Sequence, residues 1–115
     1  MEKELDIAVN LTDSAAVIEL VGDVDSFSAH QLQEAISDLL ASGQHRILVN
    51  LSRVEYIDSS GLGTLVGGLH KAREHHGELS ITEASPRVRK VLAVTGLHRV
   101  FAFPVSDVAS VDSMP

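Results

Sequence analysis

The stretch Val54-Glu55-Tyr56-Ile57-Asp58-Ser59-Ser60-Gly61-Leu62-Gly63 passes from a strand into a helix, and the fold follows from what flanks it. Upstream, Arg46 to Leu51 carries the dense run Ile47-Leu48-Val49, which predicts a strand buried on both faces. Downstream, Leu62, Leu65, Val66 and Leu69 recur at helical spacing and predict a helix over Ser59 to His76.

Working outward, Leu5, Ile7, Val9 and Leu11 alternate with polar or small residues, and a second apolar run, Ala16 to Val21, follows Thr12-Asp13-Ser14. That pattern predicts two strands joined by a turn. From Leu32 the period changes: Leu32, Ala35, Ile36, Leu39 and Leu40 share a helical face, with a capping-box pattern Ser28 to Gln31 before it and Gly43 after it. Beyond the central helix, Glu78 to Glu83 predicts a short strand. Ser85-Pro86 opens a third helix that Gly96-Leu97 closes, and Val100 to Phe103 predicts a last strand, with a helical turn around Val108 in the tail from Pro104. Strand and helix alternate with short connections, which demands right-handed crossovers and a mainly parallel sheet. The expectation is one α/β domain over residues 1–115, with a mixed, mainly parallel sheet of about five strands. The antiparallel start leaves room for all helices on one face.

Composition narrows the function. A chain of 115 residues suits one core. With no cysteine, neither disulfides nor thiolate metal sites can form. The net charge of -7 opposes nucleic acid and anionic membrane surfaces, which are bound through lysine and arginine. One tyrosine and three phenylalanines furnish little for base stacking. No signal peptide or membrane span is visible.

The residues at the strand-to-helix junction have two readings. Asp58 or Ser59 can cap the helix amides, a contribution of roughly 1 kcal/mol. Four glycines in the same helix, Gly61, Gly63, Gly67 and Gly68, pull toward function, because each costs about 0.8–1 kcal/mol relative to alanine in a helix interior. Ser59, Gly63 and Gly67 repeat every fourth residue and form a smooth strip open to close approach. Gly61 and Gly68 also fit as relief of crowding against the sheet. Asp23 and Asp25 follow an early strand, either as a solvated turn with capping or as part of a binding loop at the carboxyl end of the sheet.

Other chemistry fits poorly. His70 and His75 point about 140° apart on a helix, away from metal-ligand spacing, so the histidines suit a solvated helix end. A nucleophilic serine lacks glycines on both sides, and no phosphate-binding glycine loop ends in Gly-Lys-Ser or Gly-Lys-Thr. Arg87, Arg89 and Lys90 suit a solvated surface or an acidic partner. No catalytic group, metal or cofactor is expected.

The Asp58-Ser59-Ser60-Gly61-Leu62-Gly63 motif, the early Gly22-Asp23-Val24-Asp25 and the late Gly96-Leu97 with Phe101 resemble the STAS domain of bacterial anti-sigma factor antagonists, over nearly the whole chain. The resemblance implies helices packed on one face of the sheet. It also implies a cytoplasmic regulator that binds an anti-sigma factor serine kinase until that kinase phosphorylates Ser59, with a metal-dependent serine phosphatase reversing the step. Asp25 matches an acidic loop position near that serine. Partner contacts are then expected at Asp23, Asp25, Asp58, Ser59, Ser60, Gly61, Gly63 and Gly67, on a monomer or weak dimer. The alternative is a structural or sensory STAS module of a larger signalling or transport complex. Tyr56-Ile57 departs mildly from relatives, which often carry phenylalanine with methionine or leucine there.

Overall fold

The computed structural model describes residues 4–101 and 103. β1 (Asp6–Leu11) pairs antiparallel with β2 (Ala16–Val24), and Thr12 closes the turn between them, its Oγ1 accepting the Ala15 N–H at 3.0 Å. β2 pairs parallel with β3 (Arg46–Ile57), and β3 with β4 (Glu78–Ala84), so order in space follows order in the chain. α1 (Ala29–Ala41) crosses from β2 to β3 and α2 (Ser59–Glu74) from β3 to β4. Both crossovers step the same way across the sheet, so right-handedness puts both helices on the same face.

Burial marks that face. Ala16, Ile18, Leu20 and Val24 of β2, Ile47, Val49, Leu51, Val54 and Ile57 of β3, and Leu79 and Ile81 of β4 are buried. They meet Leu32, Ile36 and Leu40 of α1 and Leu65, Leu69 and Ala72 of α2 in one apolar core. The intervening positions Val17, Glu19, Val21, Leu48, Asn50 and Arg53 are exposed or half-buried. β3 is therefore covered on one face only, contrary to the expectation drawn from Ile47-Leu48-Val49. A single apolar residue at Leu48 made the run look continuous.

Two other expectations are corrected. The Ser28–Gln31 capping box does not form: Ser28 is the N-cap of α1 by position, but its hydroxyl makes no capping bond and donates backward to the Asp23 carbonyl at 2.8 Å. Val100, Phe101 and Phe103 do not lie in a strand. Gly96, at φ 77°, turns the chain into the short helix α4 (Leu97–Val100), and the Phe101 N–H donates to the Leu97 carbonyl at 3.1 Å. Phe101 and Phe103 are buried all the same, so their alternation reflects burial. Among the described residues the sheet thus has four strands. The turn expected around Val108 lies outside those residues.

α3 (Pro86–Thr95) opens with proline in its first turn, as expected. Its N-cap, Ser85, is buried; its hydroxyl accepts the Val88 N–H at 3.3 Å and donates to the Val54 carbonyl at 2.6 Å, tying the helix to β3. Replacing Ser85 by alanine removes the cap and the hydrogen bond to the Val54 carbonyl. Ser85→Ala should lower unfolding free energy by about 1–3 kcal/mol in urea titration, and a change below ~0.5 kcal/mol would contradict this role.

Candidate functional site

The carboxyl ends of β2 and β3 lie side by side, because the Asp58 N–H donates to the Val24 carbonyl at 3.2 Å. Asp58 has extended backbone, φ -107° and ψ -173°, and its Oδ1 accepts the Ser60 N–H at 2.9 Å and the Gly61 N–H at 3.2 Å. Asp58 is therefore the N-cap of α2. That assignment leaves Ser59 at the first helical position, exposed, with no hydrogen bond to its hydroxyl among the described residues. Ser60 is also exposed, and its carbonyl accepts the Thr64 hydroxyl at 3.0 Å.

The helix glycines separate into two pairs. A Cβ on Gly61 would stand 2.7 Å from the Val24 carbonyl oxygen and 2.8 Å from Ile57 Cγ1, and one on Gly68 would stand 2.9 Å from Ile36 Cδ1. Those two let α2 settle onto the sheet and onto α1. A Cβ on Gly63 or Gly67 would meet nothing within 4 Å. Both are exposed, so packing within the domain gives no reason for glycine there. They border a groove of about 410 Å³ between α1 and α2, with Ser59 at one end and Gln33, Ser37 and Lys71 along it. Lys71 Nζ reaches the Ser37 hydroxyl at 3.5 Å.

The two acids after β2 occupy different settings. Asp23 belongs to β2, in register with Tyr56, and is half-buried. Asp25 is 6% exposed; its Oδ1 accepts the Phe27 N–H at 3.0 Å and the Ser28 N–H at 3.1 Å. Its carboxylate is thus turned inward, where it shapes the loop from residue 25 to 28. Phe27 projects from that loop and is 73% exposed. The structure brings Asp58, Ser59, Ser60 and Gly61 together with this loop at one end of the sheet, and Gly63 and Gly67 extend from them along α2. The sequence pattern does not mark Gln33, Ser37, Lys71 or Phe27. The first three follow only once α1 is seen to pack on α2, and an aromatic among small polar residues at 25–28 was the one signal for the fourth.

Among the described residues no helix is long and apolar enough to cross a membrane. His75 caps the carboxyl end of α2, its ring Nδ1 donating to the Lys71 carbonyl at 2.9 Å.

This arrangement defines the chain's class. Residues 7–113 match the family model described as "Mlab, STAS domain", and the chain belongs to the STAS domain family. It is 32% identical to the anti-sigma-B factor antagonist of Staphylococcus aureus over 93 residues, 81% of this chain and 86% of that one. Among solved structures, an anti-sigma factor antagonist from Mycobacterium paratuberculosis superposes with a TM-score of 0.77, at 24% identity over 94% of this chain and 93% of the other. The Bacillus protein SpoIIAA is 28% identical. Its unphosphorylated form gives a TM-score of 0.64 over 75% and 80% of the two chains, and its phosphorylated form 0.66 over 82% and 86%.

Two outcomes follow from the geometry. Gly63→Ala and Gly67→Ala should each stabilise the isolated domain by about 0.5–1 kcal/mol, while Gly61→Ala destabilises it. Thermal melting of the three variants checks this, and destabilisation by Gly67→Ala would mean that residue has a packing role. Asp58→Ala should cost about 1 kcal/mol and Ser59→Ala less than about 0.5 kcal/mol, because only the former removes the cap. The reverse order in urea titration would exchange their roles.

Proposed function

We propose that this protein is an anti-sigma factor antagonist: unphosphorylated, it binds an anti-sigma factor serine kinase and so frees a sigma factor, and phosphorylation of Ser59 by that kinase ends the binding. The observation that carries this reading is the placement of two exposed glycines at which a Cβ would meet nothing within 4 Å, Gly63 and Gly67, on the same helix as an exposed serine that does not serve as its cap. Each glycine sacrifices helix stability, and the compensation lies with a partner backbone that comes closer than a side chain would allow. The similarity to named antagonists, one of them known in phosphorylated and unphosphorylated forms, supports the same reading.

The interface consists of Ser59, Ser60, Gly63 and Gly67 on α2, with Asp23, Asp25, Asp58 and Gly61 setting the junction that presents them. The protein is a binding module and carries out no reaction itself. The kinase supplies catalysis with ATP, which places the exchange in the cytoplasm, and a metal-dependent serine phosphatase restores the unmodified hydroxyl.

Phosphorylation acts locally. Phosphoserine adds about -1.5 to -2 charge and three acceptor oxygens beside the Asp58 carboxylate. In the free domain the amino terminus of α2 accommodates an anion, so the fold persists. In the complex the same group must lose water against a surface fitted to a hydroxyl. Two unit charges ~5 Å apart at an effective dielectric of ~20 interact by roughly 3 kcal/mol, and a hundredfold loss of affinity needs only about 2.7 kcal/mol.

The test is incubation with the anti-sigma factor kinase and ATP, read by intact mass, followed by titration. One phosphoryl group should be added to wild type and to Ser60→Ala but not to Ser59→Ala. The phosphorylated protein should bind the kinase roughly 100-fold more weakly than the unmodified protein, and undiminished binding would overturn the switch.

A further inference from the structure

The loop from residue 25 to 28 presents an aromatic side chain to solvent on a hydrogen-bonded backbone. Phe101 and Phe103 are buried in the core, whereas Phe27 is 73% exposed and Tyr56, two residues before Asp58, is 48% exposed. Both aromatics outside the core therefore lie beside the junction of β2 and β3 with α2. An exposed phenylalanine contributes little to the fold, and one such residue alone is ordinary.

What sets Phe27 apart is the loop beneath it. Burying a carboxylate is costly unless hydrogen bonds satisfy it, and the buried Asp25 is satisfied by the N–H groups of Phe27 and Ser28 themselves. The Ser28 hydroxyl, also buried, accepts the Asp25 N–H at 3.0 Å while donating to the Asp23 carbonyl at 2.8 Å. The Ala29 N–H closes the turn on the Asp25 carbonyl at 2.8 Å. These bonds fix the backbone on either side of Phe27 and leave its ring outside. An exposed aromatic on a preorganised backbone is the type of residue that dominates binding energy at protein interfaces.

We infer that Phe27 is the apolar anchor of the partner interface, entering an apolar pocket on the anti-sigma factor beside the surface that reads Ser59. This rests on the function proposed above. The Val24 carbonyl ties the loop to α2, through the Asp58 N–H at 3.2 Å, so anchor and switch share one rigid end of the domain. The exposed Glu55 and half-buried Asp58 nearby call for basic groups on the rim of that pocket.

The chain contains no tryptophan, so Phe27→Trp installs a single reporter. Purified anti-sigma factor kinase is titrated into wild type, Phe27→Ala and Phe27→Trp, with melting curves of each protein alone. The expected result is unchanged melting, a loss of affinity of ~30-fold or more for Phe27→Ala, and a blue shift of the Phe27→Trp emission on binding. If wild type binds while Phe27→Ala stays within about twofold of it and the tryptophan emission remains that of a solvated ring, the anchor is overturned and the switch at Ser59 stands. If wild type does not bind, the proposed function falls, and the anchor with it.

Discussion

The domain is organised around the Val24 carbonyl. It accepts the Asp58 N–H, and it lies so close to the Cα of Gly61 that any side chain there would collide with it. Through this contact the last residue of β2 sets the height and position of the first turn of α2. The Asp25 loop begins at the next residue, so loop and helix start cannot move independently. A packed interior transmits such a constraint instead of absorbing it, because its side chains leave few voids.

From that contact follows the division of the α2 glycines. Gly61 and Gly68 are needed for the helix to sit against β2, β3 and α1, and their cost is offset by the packing they allow. Gly63 and Gly67 face outward over the groove. Asp58 serves the first helical amides, which leaves Ser59 without a structural task at the start of the same strip. An exposed hydroxyl on a smooth, accessible surface suits the recognition proposed for it, and a helix capped by Asp58 does not depend on that hydroxyl.

Much of this was legible in the sequence, and the reasons differ from element to element. The antiparallel start, the parallel crossovers and the helix from Ser59 follow from periods of two and 3.6 in the apolar residues, which are local signals. The division between Gly61 with Gly68 and Gly63 with Gly67 was visible as spacing, with crowding against the sheet as one reading of the first pair, and the packed structure shows that crowding directly. Signals that depend on tertiary contacts misled. Val100 to Phe103 alternates like a strand because its phenylalanines are drawn into the core, although Gly96 has already turned the backbone helical. Ser28 to Gln31 has the letters of a capping box, yet the Ser28 hydroxyl is claimed by the Asp23 carbonyl. Asp25 reads in the sequence as either a solvated turn acid or part of a binding loop, and its burial depends on N–H groups two and three residues away whose geometry no composition reveals.

The central claim is that one end of the domain, where the loop after β2 meets the start of α2, is the surface a partner covers. The most direct measurement is the change in backbone amide resonances of the isotope-labelled domain when unlabelled anti-sigma factor kinase is added without ATP. The account predicts the largest changes at residues 25–28 and 58–67. Changes concentrated on the uncovered sheet face around Val17 and Leu48, or along the β1 edge, with residues 58–67 unaffected, would contradict it.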